Sequence, residues 1–311
     1  MATMLTLAKR YIAHRRKMGY AMILPAKQLC HFARFADRVA PGKPLTTNLA
    51  LRWATAGPGL RRTHAAWLSI ARCFARYCAA LDPRTEVPGA FLLGPMSQRL
   101  RPHIFTNEQT RRLLVRSRAL TKRYSPLHPL TYETMIALLA CTGLRPGEAL
   151  RLQLDDLDVD AGSLRIAPCK FSPLRILPLH PTTVQALQRY RKARMRLFPG
   201  GGHLFVGATG KPLLQRKAER IFARLAGGIV SNGQRPSVRL LDFRHTYASR
   251  WISDWSRQSK PVSHHLLLLA RYLGHQDFSS TWWYVSSDPA SLRAASHSFL
   301  RFYNNNGHEP A

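Results

Sequence analysis

Residues 82–103 constrain the fold more than any other stretch, because Pro83, Pro88, Pro95 and Pro102 fall there together with Gly89 and Gly94. Proline lacks an amide hydrogen and disfavours helical backbone in the residue before it, so no long helix or central strand can run through. The chain is therefore expected to divide into a segment 1–81, a linker 82–103 and a segment 104–311. Before the linker, apolar residues recur at helical spacing. Leu5, Ala8, Tyr11 and Ile12 form one stripe and "AKQLCHFARFADRVA" carries a second. Trp67, Ile70, Ala71, Phe74, Cys78 and Leu81 form a third. These predict a small helical bundle, with Arg61, Arg62, Arg72 and Arg76 near its last helix.

After the linker, "TNEQTRRLLVRSRAL" begins with a helix cap at Thr106 or Asn107, and "LTYETMIALLAC" is a strongly apolar helix. Between Leu157 and Leu179 the pattern changes to short runs, "LDVDAG", "SLRIAPC" and "LRILPL", separated by turn-forming residues. That predicts a three-stranded antiparallel sheet. From Pro181 onward the pattern is again mainly helical, with glycine-rich breaks at 200–202 and 227–233. The fold class read from these patterns is mainly α with a small antiparallel sheet.

The charge balance narrows the partner. Lys and Arg number 47 against 16 Asp and Glu, a formal net charge of +31. Residues 1–103 hold 17 basic and 3 acidic side chains and residues 104–311 hold 30 and 13, so the excess is not a tail. A hydrophobic share of 45% excludes a disordered basic arm. Such spread positive charge points to a polyanion, and nucleic acid is the default. Five cysteines at 30, 73, 78, 141 and 169 make no zinc spacing, and Cys78 falls on an apolar face where packing is its ordinary role. Neither a signal-peptide core nor a run long enough to span a bilayer is evident, so the expected compartment is the reducing cytoplasm, at the nucleoid.

Four stretches carry candidate chemistry. In "CTGLRPGEALRL", Gly143 ends one helix and Pro146 starts the next, which leaves Arg145 in a tight elbow. Its planar fork suits paired phosphate oxygens, although a surface arginine at a turn is the plain alternative. Glu148, at the third helical position, is favoured there by capping and dipole whatever the function. In "CKFSPLRILPL", Lys170 lies at the tip between two predicted strands, where lysines are common. In "SVRLLDFRHTYASRW", Arg244 falls in the first turn of an amphipathic helix. That end already carries partial positive charge, so the position is unfavourable unless an anion compensates it. In "LGHQDFSSTWWYVSS", His275 follows the helix-ending Gly274, and Tyr284 comes nine residues later. Taken singly, such a histidine is ordinarily a cap and such a tyrosine ordinarily core. As a set, two arginines, a lysine, a histidine and a tyrosine suit phosphoryl transfer in which cations neutralise the transition state and a side chain holds the phosphate. The acidic triad of a magnesium-dependent nuclease or transposase and a P-loop are both missing.

The order and spacing of these motifs resemble the tyrosine recombinase (phage integrase) family. "TGLRPGEAL" is similar to its first arginine motif, and Lys170, eight residues before Pro178, to its sheet lysine. "LLDFRHTYAS" is similar to its second arginine motif, and "LGH" with Tyr284 to its closing motif. The resemblance implies an N-terminal helical DNA-binding domain and an α+β catalytic domain on the mainly α fold. It implies Arg145 and Arg244 clamping the scissile phosphate, Tyr284 attacking it, Lys170 protonating the leaving 5′-oxygen and His275 hydrogen-bonding the phosphate, with neither cofactor nor metal. It further implies specific double-stranded DNA sites, a homotetramer on paired sites, C-terminal segments such as "SLRAASHSFLRFYNN" exchanged between protomers, and accessory recombinases or DNA-bending proteins as further partners; no membrane is involved. A transposon- or phage-borne integrase fits the general pattern. One position departs: the family usually has histidine or lysine three residues before the second arginine, and here it is Leu241. That departure keeps open a non-catalytic accessory subunit of another recombinase. A type IB topoisomerase, with the same chemistry and no strand exchange, is the other alternative.

Overall fold

The computed structural model describes residues 3–94, 102–123, 125–168, 174–229, 238–257 and 262–274. The chain forms two compact units, Met1–Leu100 and Arg101–Ala311.

The described residues of the first unit form four helices, α1 (Met4–Lys17), α2 (Ile23–Val39), α3 (Thr47–Thr55) and α4 (Arg61–Ala79). The predicted stripes supply its core: Ala8, Tyr11 and Ile12 from α1, Leu29 and Phe32 from α2, and Ala71, Phe74 and Cys78 from α4. Burial pushes the Cys78 thiol up to about 12, in keeping with packing. Leu81, the last residue of the third stripe, is instead exposed. The sequence reading did not separate α3, whose Leu49 and Trp53 complete the core. Trp53 donates its indole N–H to His31 Nδ1 at 2.9 Å. Asp37 of α2 accepts the backbone N–H groups of Met4 and Leu5 at 2.8 and 3.0 Å, placing a carboxylate on the positive end of α1. Residues 82–94, rich in proline and glycine, pack on this unit. The Glu86 N–H donates to the Leu45 carbonyl, its carboxylate accepts from the Thr47 N–H at the start of α3, and Leu93 lies against the core.

The second unit begins with α5 (Asn107–Arg118), where Thr106 and Gln109 close a reciprocal capping box. Its centre is α6 (His128–Thr142), which buries Tyr132, Met135, Ile136, Leu138 and Leu139 and packs against α5, α8 (Pro181–Leu197) and α10 (Asp242–Arg257). A helix apolar on most of its surface is stable only when enclosed in this way. After the single turn α7 (Pro146–Ala149), the three predicted strands form an antiparallel sheet: β1 (Leu157–Asp158), β2 (Ser163–Ile166) and β3 (Arg175–Pro178). Leu157 pairs with Leu164 and Leu164 with Leu177, so one leucine from each strand faces the core. Arg194 of α8 is fully buried without a carboxylate; its guanidinium donates to the carbonyls of Phe198, Gly200 and Gly201 and so fixes the glycine-rich turn. The helices α9 (Gln215–Ala226), α10 and α11 (Val262–Leu273) complete the unit. Among the described residues no helix is long and apolar enough to cross a membrane.

Candidate active site

Two helix ends and an elbow make the site. α6 stops at Gly143, which takes a left-handed conformation with φ 62° and returns its N–H to the Leu139 carbonyl. A Cβ here would stand 2.8 Å from Tyr247 Cδ1 and 3.1 Å from Leu273 Cδ2, so glycine is what lets α6 approach both α10 and α11. A Gly143→Ala chain is expected to melt at lower temperature, by about 1–3 kcal/mol of backbone strain before the clash is added. Thermal unfolding by circular dichroism checks this, and an unchanged melting temperature would contradict the packing described.

Beyond the glycine, Arg145 is the N-cap of α7 with extended backbone, and Pro146 occupies the first helical position. One helical turn has too few hydrogen bonds to hold itself, so its geometry depends on side chains. Glu148 supplies them. Its carboxylate accepts the Arg145 N–H at 3.0 Å and the Arg145 guanidinium at 2.9 Å. The carboxylate is buried, which opposes ionisation, but the hydrogen bond and charge of Arg175, with those from Arg145, outweigh that and hold it below the usual carboxylate range. Glu148 is thus the cap the sequence suggested and also the counterion of two arginines.

Arg244 is buried at 2% exposure, three residues into α10. Its guanidinium donates to the Gly143 carbonyl at 3.1 Å and to the Leu273 carbonyl at 2.7 Å. Arg145 donates to the next carbonyl, Gly274, at 3.2 Å. Two helix-end carbonyls meet the guanidinium at this position. The ends of α6 and α11 present carbonyls with partial negative charge to the guanidinium. Asp242, bonded to Arg239, neutralises the start of α10 itself. The burial of Arg244 therefore has a structural cause of its own. Carbonyl dipoles hold a guanidinium in place without themselves adding a full negative charge.

The structure thus brings Arg145 and Arg244 onto adjacent carbonyls of one helix end. Lys170, His275 and Tyr284, and the segment 291–303, lie outside the described residues; Lys170 falls between β2 and β3, and His275 follows Gly274 directly. Leu241 lines a cavity of about 520 Å³ that Arg145, Glu148, Arg151, Gln215 and Glu219 also border. Two other tyrosines stand nearby, Tyr247 and Tyr272, stacked at 5.6 Å between ring centroids. Burial pushes both phenols upward. Among the described residues no group of three or more His, Cys, Asp or Glu could hold a metal ion.

Sequence reasoning missed Arg175. It shares the inward face of β3 with Leu177, its side chain is 8% exposed, and it donates to Glu148 at 2.8 Å. The signal was its two-residue spacing from Leu177, which puts an arginine on a core face and so demands an acid.

The phage integrase family profile matches residues 104–291. Over 304 residues the chain is 34% identical to the integrase/recombinase y4rB of Sinorhizobium fredii, covering 95% of this chain and 96% of that one. It is 30% identical over 236 residues to the tyrosine recombinase XerC of Azotobacter vinelandii, covering 75% and 72%. Among solved structures, the Tn1549 transposon integrase in complex with transposon right end DNA is similar with a TM-score of 0.71 at 18% identity, over 96% of this chain and 99% of that one. The lambda integrase bound to DNA gives 0.60 at 15%, over 88% and 92%. At such identities the structural likeness speaks to the fold alone.

Proposed function

The chain belongs to the phage integrase family, and on that premise we propose that it breaks and rejoins DNA at specific sites through a 3′-phosphotyrosyl intermediate. The observation that carries the reading is the mounting of Arg145 and Arg244, far apart in sequence, on neighbouring carbonyls of the α6 and α11 ends. Preorganised cations of this kind stabilise the charge that develops on a phosphate under attack. Tyr284 is the nucleophile: its hydroxyl gives its proton to water or His275, its oxygen bonds to phosphorus, the bond to the 5′-oxygen breaks, and Lys170 gives that oxygen its proton. His275 hydrogen-bonds the phosphate. The 5′-hydroxyl of a partner strand then attacks the phosphotyrosine and restores the tyrosine. The DNA partner fits the net charge of +31, and the two chemical steps require no ATP. Recombination between two sites places four protomers on paired DNA, with residues 291–303 docking between neighbours.

Leu241 favours a second reading, an accessory subunit that binds DNA without cutting, because leucine neither takes nor gives a proton. Magnitudes favour catalysis. General acid–base help is worth about 10²–10⁴-fold, while phosphate clamping and a positioned nucleophile are separate contributions. The test is covalent complex formation, against pH, on a nicked substrate made from the DNA that flanks the gene. Wild type is expected to cleave slowly, faster as pH rises and the tyrosine loses its proton more readily. Leu241→His is expected to cleave faster near neutrality, since the cavity beside it has room for an imidazole. Absence of any wild-type complex across the pH range, with accessory proteins supplied, would establish the accessory reading instead.

A further inference from the structure

The Glu148 carboxylate is shared evenly. Oε1 accepts from Arg145 at 2.9 Å and from Arg175 at 3.4 Å, and Oε2 accepts from the Arg145 N–H at 3.0 Å and from Arg175 at 2.8 Å. The two arginines differ in setting. Arg145 sits in an elbow followed by one helical turn, and its side chain is 32% exposed. Arg175 is part of a strand paired along four positions with β2 and is nearly closed from solvent. The sheet is therefore the rigid partner, and the carboxylate passes its position on to the elbow.

Charge gives a second reason for the arrangement. A carboxylate paired with Arg145 alone would neutralise it where a phosphate has to be attracted. A carboxylate held between two guanidiniums leaves one positive charge over. A buried ion pair is weak grounds for stability by itself, because apolar packing of equal volume often does as well. Retaining two arginines on one acid needs another explanation, and orienting Arg145 while preserving its charge provides it. Arg175 is also the first residue of β3.

We propose that Arg175 is a positioning residue for DNA cleavage: acting through Glu148, it orients Arg145 and takes up carboxylate charge that would otherwise neutralise it. This rests on the reading of Arg145 as a phosphate clamp. The experiment compares full-length wild type with Arg175→Lys, Arg175→Met and Arg175→Met/Glu148→Gln, measuring the first-order rate of covalent complex formation at saturating nicked DNA and, separately, affinity for an intact site. Arg175→Met is expected to slow cleavage by about 100-fold, the scale of a small misplacement of a reacting group, at little-changed affinity. Arg175→Lys, which keeps the charge and loses the fork, falls between. The double variant recovers part of the rate, because removing the carboxylate returns charge to Arg145; a purely structural role would make it the slowest. Equal rates for wild type and the single variants overturn the proposal, as does a double variant slower than Arg175→Met. Should Arg175→Met not fold, Arg175→Lys decides by the same comparison, a slower rate at equal affinity supporting the proposal and an equal rate overturning it. A wild type that forms no complex removes the clamp reading itself, an outcome distinct from equal rates.

Discussion

Phenylalanine at position 284 is expected to abolish covalent attachment to DNA while leaving affinity for the site intact. The substitution removes one oxygen and keeps the ring, so packing and DNA contacts change little. On the proposed reading the chemistry loses its nucleophile altogether, and phosphate clamping does not replace it. Tyr247 and Tyr272 stack on one another, and burial raises both phenols. The measurement is a denaturation-resistant protein–DNA band on a nicked site, run beside a native gel shift. A normal shift without the resistant band is the expected pair of results. A resistant band from Tyr284→Phe would mean that another residue attacks.

The second large effect is expected at Arg244. On the proposed reading, alanine there removes a donor aimed at the developing phosphate charge, worth about 10²–10³ in rate. It also frees the Gly143 and Leu273 carbonyls, which lie at the ends of two packed helices. Each buried carbonyl left without a partner costs about 1–3 kcal/mol, so the variant is expected to be less stable as well as slower. Lysine should rescue stability better than cleavage, because an ammonium keeps the charge but lacks the fork that reaches two carbonyls and a phosphate together. Single-turnover cleavage and thermal melting separate the two effects. DNA affinity should fall far less than rate, since many other basic groups hold the duplex. An Arg244→Ala enzyme that cleaves at the wild-type rate would reduce the residue to a helix-end anchor.

Local signals in the sequence carried much of this fold. The stripe Ala8–Tyr11–Ile12, the Thr106 cap and the strands around Leu164 and Leu177 all appear where spacing and turn residues put them. Those features depend on neighbours a few residues away. α3 escaped because nine residues give too short a repeat to stand out. Arg145 and Arg244 were legible as arginines beside helix ends, but their mounting was not. Gly143, Leu273 and Gly274 become their partners only when α6, α10 and α11 meet. Arg244 shows the limit most plainly. Its local dipole argument asked for an anion, and the fold answered first with carbonyls from two other helices. The Arg175–Glu148 contact joins a strand to an elbow, and no local period relates those two residues.

The central claim is that Tyr284 carries the DNA during strand exchange. The most direct test is to trap wild-type protein on a nicked site from the DNA flanking the gene, digest both components, and identify the nucleotide-bearing peptide by mass spectrometry. The account predicts a single adduct, on Tyr284, linked to the 3′-phosphate, with a free 5′-hydroxyl on the released strand. An adduct on any other residue, or a linkage to a 5′-phosphate, would contradict it.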